Sequence, residues 1–146
     1  MKSIVRSCII ITLLSLLGCS QATGPKTMHV WGDVWLDGKP VEEGSITFES
    51  PEGLPPAQAP IRAGHYDLPA EVGPLAEKSY IIRFSALMRT GKTITNVMGD
   101  GAPTMDVMVE MIPNEFNRES TVKKTISPDP AKNQLNFKLH KSGSLE

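Results

Sequence analysis

Met28-His29-Val30-Trp31-Gly32-Asp33-Val34-Trp35-Leu36-Asp37-Gly38-Lys39-Pro40 carries a period of two that ends at an Asp-Gly pair. Side chains of an extended strand alternate between its two faces, so Met28, Val30, Gly32, Val34 and Leu36 share one face. His29, Trp31, Asp33 and Trp35 share the other. This pattern predicts a strand with one face in a core. Asp37-Gly38 readily supplies the positive φ of a tight turn, and Pro40 prevents a regular continuation. The outer face then carries two indoles about 13 Å apart along the strand, with Asp33 between them. Trp31, Asp33 and Trp35 are therefore a candidate ligand face, a platform for sugar rings or for a partner's apolar patch. The competing reading has a loop, such as residues 50–57, folded over the indoles as a small second core.

Downstream of this strand the same period recurs in short runs. Gly44 to Glu49 reads as a strand with Ile46 and Phe48 inward, followed by a proline-rich loop over residues 50–57. Gln58 to Ile61 leads through Ala63-Gly64 into Tyr66 and Leu68 as a hairpin. Residues 69–78 form a loop. Ser79 to Met88 is the strongest strand, with Tyr80, Ile82, Phe84 and Ala86 on one face. Residues 89–104 are rich in turn formers, and Met105 to Ile112 fits either a strand or a single helical turn. Ser120 to Thr125 and Gln134 to His140 close the series. The 12 glycines and 12 prolines argue against a helical bundle. About seven short strands without a helix predict an all-β, antiparallel β-sandwich.

The N-terminus has a different character. Lys2 and Arg6 precede an apolar run from Cys8 to Leu17, with no acidic residue before Asp33. The run spans about half of a roughly 30 Å hydrocarbon core, which predicts a cleaved signal and not a membrane span. Leu16-Leu17-Gly18-Cys19 resembles a bacterial lipobox. That resemblance implies lipidation of Cys19, with several acyl chains giving a stable anchor. Ser20, in place of Asp, resembles the signal that sends such proteins to the outer membrane. The expected organisation is a signal peptide over 1–18, a lipidated flexible tether over 19–27, one domain over 28–140 and a flexible tail over 141–146. Cys8 leaves with the signal and Cys19 is capped by lipid, so no thiol remains for a disulfide, a metal or nucleophilic catalysis.

Val34-Trp35-Leu36-Asp37-Gly38-Lys39-Pro40-Val41 and Gly44-Ser45-Ile46-Thr47-Phe48 resemble the opening hairpin of carboxypeptidase regulatory-like, or transthyretin-like, domains. Ala63-Gly64-His65-Tyr66-Asp67-Leu68 and Lys78-Ser79-Tyr80-Ile81-Ile82-Arg83-Phe84 are similar to two later strands of that family, and the match runs over residues 28–140. It departs from the family pattern at Arg62 and Ala63, where an acidic residue is common, and at Phe116, where tyrosine is common. The resemblance implies a seven-stranded transthyretin-like or immunoglobulin-like sandwich with no catalytic residues to carry over.

Charge and motif content narrow the function further. With 15 Lys+Arg against 16 Asp+Glu, the chain offers no cationic surplus for nucleic acid. Ala86-Leu87-Met88-Arg89-Thr90-Gly91-Lys92-Thr93 fits a loose phosphate-loop pattern, but the residues after it are poor helix formers, and a phosphate loop must open a helix. A Thr-Gly-Lys hairpin turn is the expectation, with no nucleotide bound. His29, His65 and His140 read as separated, solvent-facing strand positions and not as metal ligands or catalytic groups. Met88, Met98, Met105, Met108 and Met111 read as core filling in preference to a thioether copper site. The expectation is a lipid-anchored, non-catalytic protein of the bacterial cell envelope with a structural or protein-interaction role. It needs no cofactor or metal, and its partners are the membrane and an envelope protein or polysaccharide. The alternative is a carbohydrate- or envelope-ligand-binding module using the Trp31/Trp35 face.

Overall fold

Strand β1 (Val30–Leu36) is buried at every even position and half-buried at every odd one in the computed structural model, which describes residues 25–97 and 103–146. The expected signal peptide, Cys19 and Met98 lie outside the described residues. At Asp37 and Gly38 φ is +48° and +75°, so the chain reverses in a type I′ turn into the short β2 (Lys39–Pro40). A second pair, Ala63 and Gly64 at +48° and +80°, joins β4 (Ala57–Arg62) to β5 (His65–Leu68) in the same way. The two turns pack on one another. Val34 N–H donates to the Gly64 carbonyl at 2.7 Å, and Gly64 N–H to that of Val41 at 2.8 Å.

The main sheet runs in the order β10 (Phe137–Leu139), β1, β5, β4, β3 (Glu43–Glu49), β6 (Ser79–Ser85), β9 (Lys123–Thr125), with β2 added to the end of β1. Pairing of β4 with β5 covers Ile61 and Arg62 only. That is consistent with Pro60 next to it, since proline has no N–H for a ladder bond. Neighbours are antiparallel except β1 and β10, which run parallel with Val34 opposite Phe137 and Leu36 opposite Leu139. Alternation carries no information about strand direction, so this parallel pair was invisible in the sequence pattern.

The sheet curls until its two ends meet. Phe137 of β10 lies 5.0 Å from Phe84 of β6, ring centre to ring centre and edge-on. Lys124 of β9 places its ammonium 5.8 Å from the Phe137 ring centre. These contacts join strands at opposite ends of the sheet order, so the architecture is an all-β sandwich formed by a curled half-barrel. Its core holds Ile46, Phe48, Ile61, Tyr66, Leu68, Tyr80, Ile82, Phe84 and Phe137. The inward residues expected of β1, β3, β5, β6 and β10 are those found there.

Parts of the middle and end of the chain differ from the sequence expectations. Ser79 to Met88 is not one strand: β6 stops at Ser85, Ala86 breaks away, and β7 (Leu87–Thr95) begins a separate two-stranded ribbon with β8 (Thr104–Glu110). Residues 89–95, expected to be turn-rich, are therefore strand, because Thr90, Thr93, Ile94 and Thr95 favour extended chain. Thr90-Gly91-Lys92 is a bulge inside β7 and not a hairpin turn; the register slips between Arg89 and Thr93, with Gly91 at φ +75°. The phosphate-loop-like motif is followed by strand up to Thr95 and, among the described residues, by no helix before β8. Met88, Met108 and Met111 are 48%, 43% and 38% exposed, which corrects their reading as core. Residues 141–146, expected as a tail, fold back on β10, with His140 N–H donating to Ser144 and Glu146 N–H to Lys138. At the other end, the Ala76 N–H already holds the carbonyl of Lys26 at 2.8 Å.

Candidate functional site

The outer face of β1 gathers more chemistry than its own sequence contains. Pairing with β5 sets Trp31 opposite Asp67 and Asp33 opposite His65. His29 Nε2 lies 2.8 Å from Asp67 Oδ1, and His65 Nδ1 lies 3.1 Å from Asp33 Oδ1. The His29 ring stacks on Trp31 with centres 4.6 Å apart and planes 23° from parallel, which holds the indole in one orientation. On the other side of β1, Asn136 Oδ1 accepts from Asp33 N–H at 3.0 Å. Trp35 faces Pro40 and Lys138 across the sheet, beside a shallow depression of about 560 Å³ lined also by Asp37, His140 and Glu146.

Trp31, Asp33 and Trp35 therefore share one half-buried face, as expected, and Trp31 owes part of its cover to His29. His29 and His65 both lie on this outer face but at opposite ends of the β1–β5 pairing, each with its own carboxylate, Asp67 and Asp33, so they remain separate as expected. The available signal was the alternation of His65 and Asp67 directly after Ala63-Gly64, which puts both on the outer face of a hairpin partner. His140 lies elsewhere, 3.4 Å from Glu146 and 3.7 Å from Asp37. Among the described residues, no three His, Cys, Asp or Glu side chains come together as metal ligands. Beneath the face, Tyr66 donates to the Leu135 carbonyl at 2.8 Å, and burial, aided by the nearby Asp33 charge, pushes its phenol far above the usual range. It stays protonated and acts as a fixed donor that holds residue 135 against the sheet.

A second surface was missed at the sequence level. The β7–β8 ribbon leaves the sheet with its apolar side chains in solvent; Leu87 and Ile94 are 55% and 54% exposed. Between its root and the β1–β2 turn lies a groove of about 960 Å³, lined by Leu36, Val41, Leu87, Met88, Met108 and Met111 among others. This groove is at the end of β1 opposite Met28, whose N–H bonds Pro74 where the chain enters the sheet. Contiguous exposed apolar side chains of this kind mark a candidate interaction surface.

Glu110 fixes the ribbon root. Its carboxylate accepts from Ser85 Oγ at 2.6 Å, Ala86 N–H at 2.8 Å, Ile112 N–H at 3.0 Å and Asn117 Nδ2 at 3.1 Å. Partial burial works against its charge, but the hydrogen bonds from Ser85 and the backbone outweigh it and hold the carboxyl below the usual carboxylate range. A depressed folded pKa gives stability that is complete above the unfolded value of about 4.3 and is lost as pH falls through the folded value. Hydrogen-exchange protection at Ala86 and Ile112, measured relative to the intrinsic rate at each pH, is thus expected to fall in acid before that of the β1–β5 amides. Glu110→Ala should produce that loosening at pH 7, costing about 2 kcal/mol locally. Equal acceleration across both regions would show that the carboxylate does not anchor the ribbon.

No protein-family model matches the chain, and comparisons with curated proteins and with solved structures find no match. Among the described residues, no helix is long and apolar enough to cross a membrane.

Proposed function

We propose that the chain is a lipid-anchored, non-catalytic protein of the bacterial cell envelope that binds a partner protein through the β7–β8 ribbon. The exposed apolar ribbon and its groove carry this reading, because water penalises such a surface and a partner relieves the penalty. The lipobox-like Leu16-Leu17-Gly18-Cys19 supports attachment through Cys19, with Ser20 favouring the outer membrane. In this reading the ribbon root sits at the end of β1 remote from the anchor, where a partner has access. The domain is read as carboxypeptidase regulatory-like on its ordered hairpins, as a scaffold without a catalytic role. Cys19→Ser is expected to move the protein from the detergent-extracted membrane fraction to the soluble one. A photo-reactive residue at Met88 should give a discrete protein adduct, and one at Trp31 should not. Adducts at neither position would remove the ribbon reading.

The Trp31/Trp35 face supports a second reading, binding of envelope polysaccharide. The observation in its favour is that His29 holds the Trp31 ring among polar groups suited to sugar hydroxyls, Asp33, His65 and Asp67. Saccharide-array binding that disappears in Trp31→Ala would favour it over the ribbon.

A further inference from the structure

The two edges of the ribbon are not equivalent. The free edge of β7 is interrupted by the bulge between Arg89 and Thr93 and carries Lys92, while Arg89 reaches across to Asp106 of β8 at 3.3 Å. Bulges and cationic side chains are the usual protection of a sheet edge against further pairing. β8 has no bulge and no cationic side chain of its own. It is seven residues of regular strand, Thr104-Met105-Asp106-Val107-Met108-Val109-Glu110, without Pro, Lys or Arg, and Glu110 is already engaged at the root. Among the described residues β8 pairs only with β7, and a two-stranded ribbon gains stability from every added strand.

We propose that the β8 edge pairs with β8 of a second copy of this chain, antiparallel and centred on Val107, joining two ribbons into one four-stranded sheet. The strand is self-complementary in that register. Asp106 faces Met108 of the other copy, Met105 faces Val109, and Thr104 faces Glu110, so apolar side chains meet and no two acids do. Centring on Asp106 would set the two Asp106 carboxylates opposite each other, and centring on Met108 would set Asp106 opposite Glu110. The two-fold axis makes the contact closed, giving a dimer and not a filament. This inference rests on the ribbon being the interaction element and not on the lipid anchor.

The test uses the full chain in non-ionic detergent with Cys8 and Cys19 replaced by serine. Val107→Cys should form a disulfide-linked dimer on mild oxidation, because facing Cα atoms of an antiparallel pair lie about 4.5–5.5 Å apart, within disulfide reach. Met105→Cys and Val109→Cys should not, since each faces the other and not itself. By sedimentation, Met108→Asp should weaken the dimer about tenfold, because it sets acid against Asp106 twice. Met108→Lys should preserve it. Loss of folding would not mimic this order, because Arg89 is the cross-strand neighbour of Met108 and favours the aspartate variant within one ribbon. A parent chain that sediments as a monomer at millimolar concentration, or equal cross-linking from all three cysteine positions, would overturn the proposal. If self-cross-linking fails while the Met88 probe still captures another protein, the ribbon reading survives and the second copy is rejected.

Discussion

Gly32→Ala is expected to cost about 4 kcal/mol and to detach β10 from β1, because a methyl group there has no room. A Cβ on Gly32 would lie 2.0 Å from the Leu135 carbonyl oxygen and 2.6 Å from its carbon. Those atoms are backbone and cannot rotate aside. Moving them breaks the bond from Leu135 N–H to the Trp31 carbonyl, 2.8 Å, and takes Tyr66's acceptor with it. Urea unfolding should show a large fall in midpoint. Gly53→Ala is the comparison: nothing lies within 4 Å of that site, and only its φ of +76° is unfavourable, costing about 1 kcal/mol. Similar midpoints for the two variants would mean that the close approach of residue 135 does not hold the sheet.

Phe137→Ala should cost about 4 kcal/mol, the usual range for removing a buried aromatic ring. Phe137 is 1% exposed and touches both ends of the curl, with Phe84 at 5.0 Å, Tyr66 at 6.5 Å and Lys124 above its ring. β10 has only three residues, so little backbone pairing remains to hold it once the ring is gone. The urea m-value should fall along with the midpoint, because a sheet left open at one end buries less surface. Phe137→Leu keeps most of the volume and should cost about 1 kcal/mol with an unchanged m-value. An alanine variant as stable as the leucine variant would show that the curl closes without this ring.

Alternation made β1, β3, β5, β6 and β10 legible, because a core on one side of a strand writes period 2 into the chain. Asp37-Gly38 and Ala63-Gly64 were legible for a related reason, since a two-residue reversal needs positive φ at both positions and few dipeptides supply it. The β7–β8 ribbon obeys neither constraint. It has no core side, so its apolar residues were mistaken for core, and its glycine marks a bulge where a turn was expected. The candidate face was half legible: Trp31, Asp33 and Trp35 follow from one strand, but His65 and Asp67 join them only through pairing with β5.

Within the main sheet, the inward positions and the Asp37-Gly38 and Ala63-Gly64 reversals could be read from the chain alone, since both are properties of a few neighbouring residues. Which strands lie side by side, the parallel return of β10 to β1, the His–Asp pairs flanking Trp31 and Asp33, and the open edge of β8 came from tertiary contacts alone. The physical reason is range. Backbone sterics and side-chain alternation act over two to four residues, whereas pairing and burial are settled between segments as distant as Gly32 and Leu135, whose contact no local pattern records.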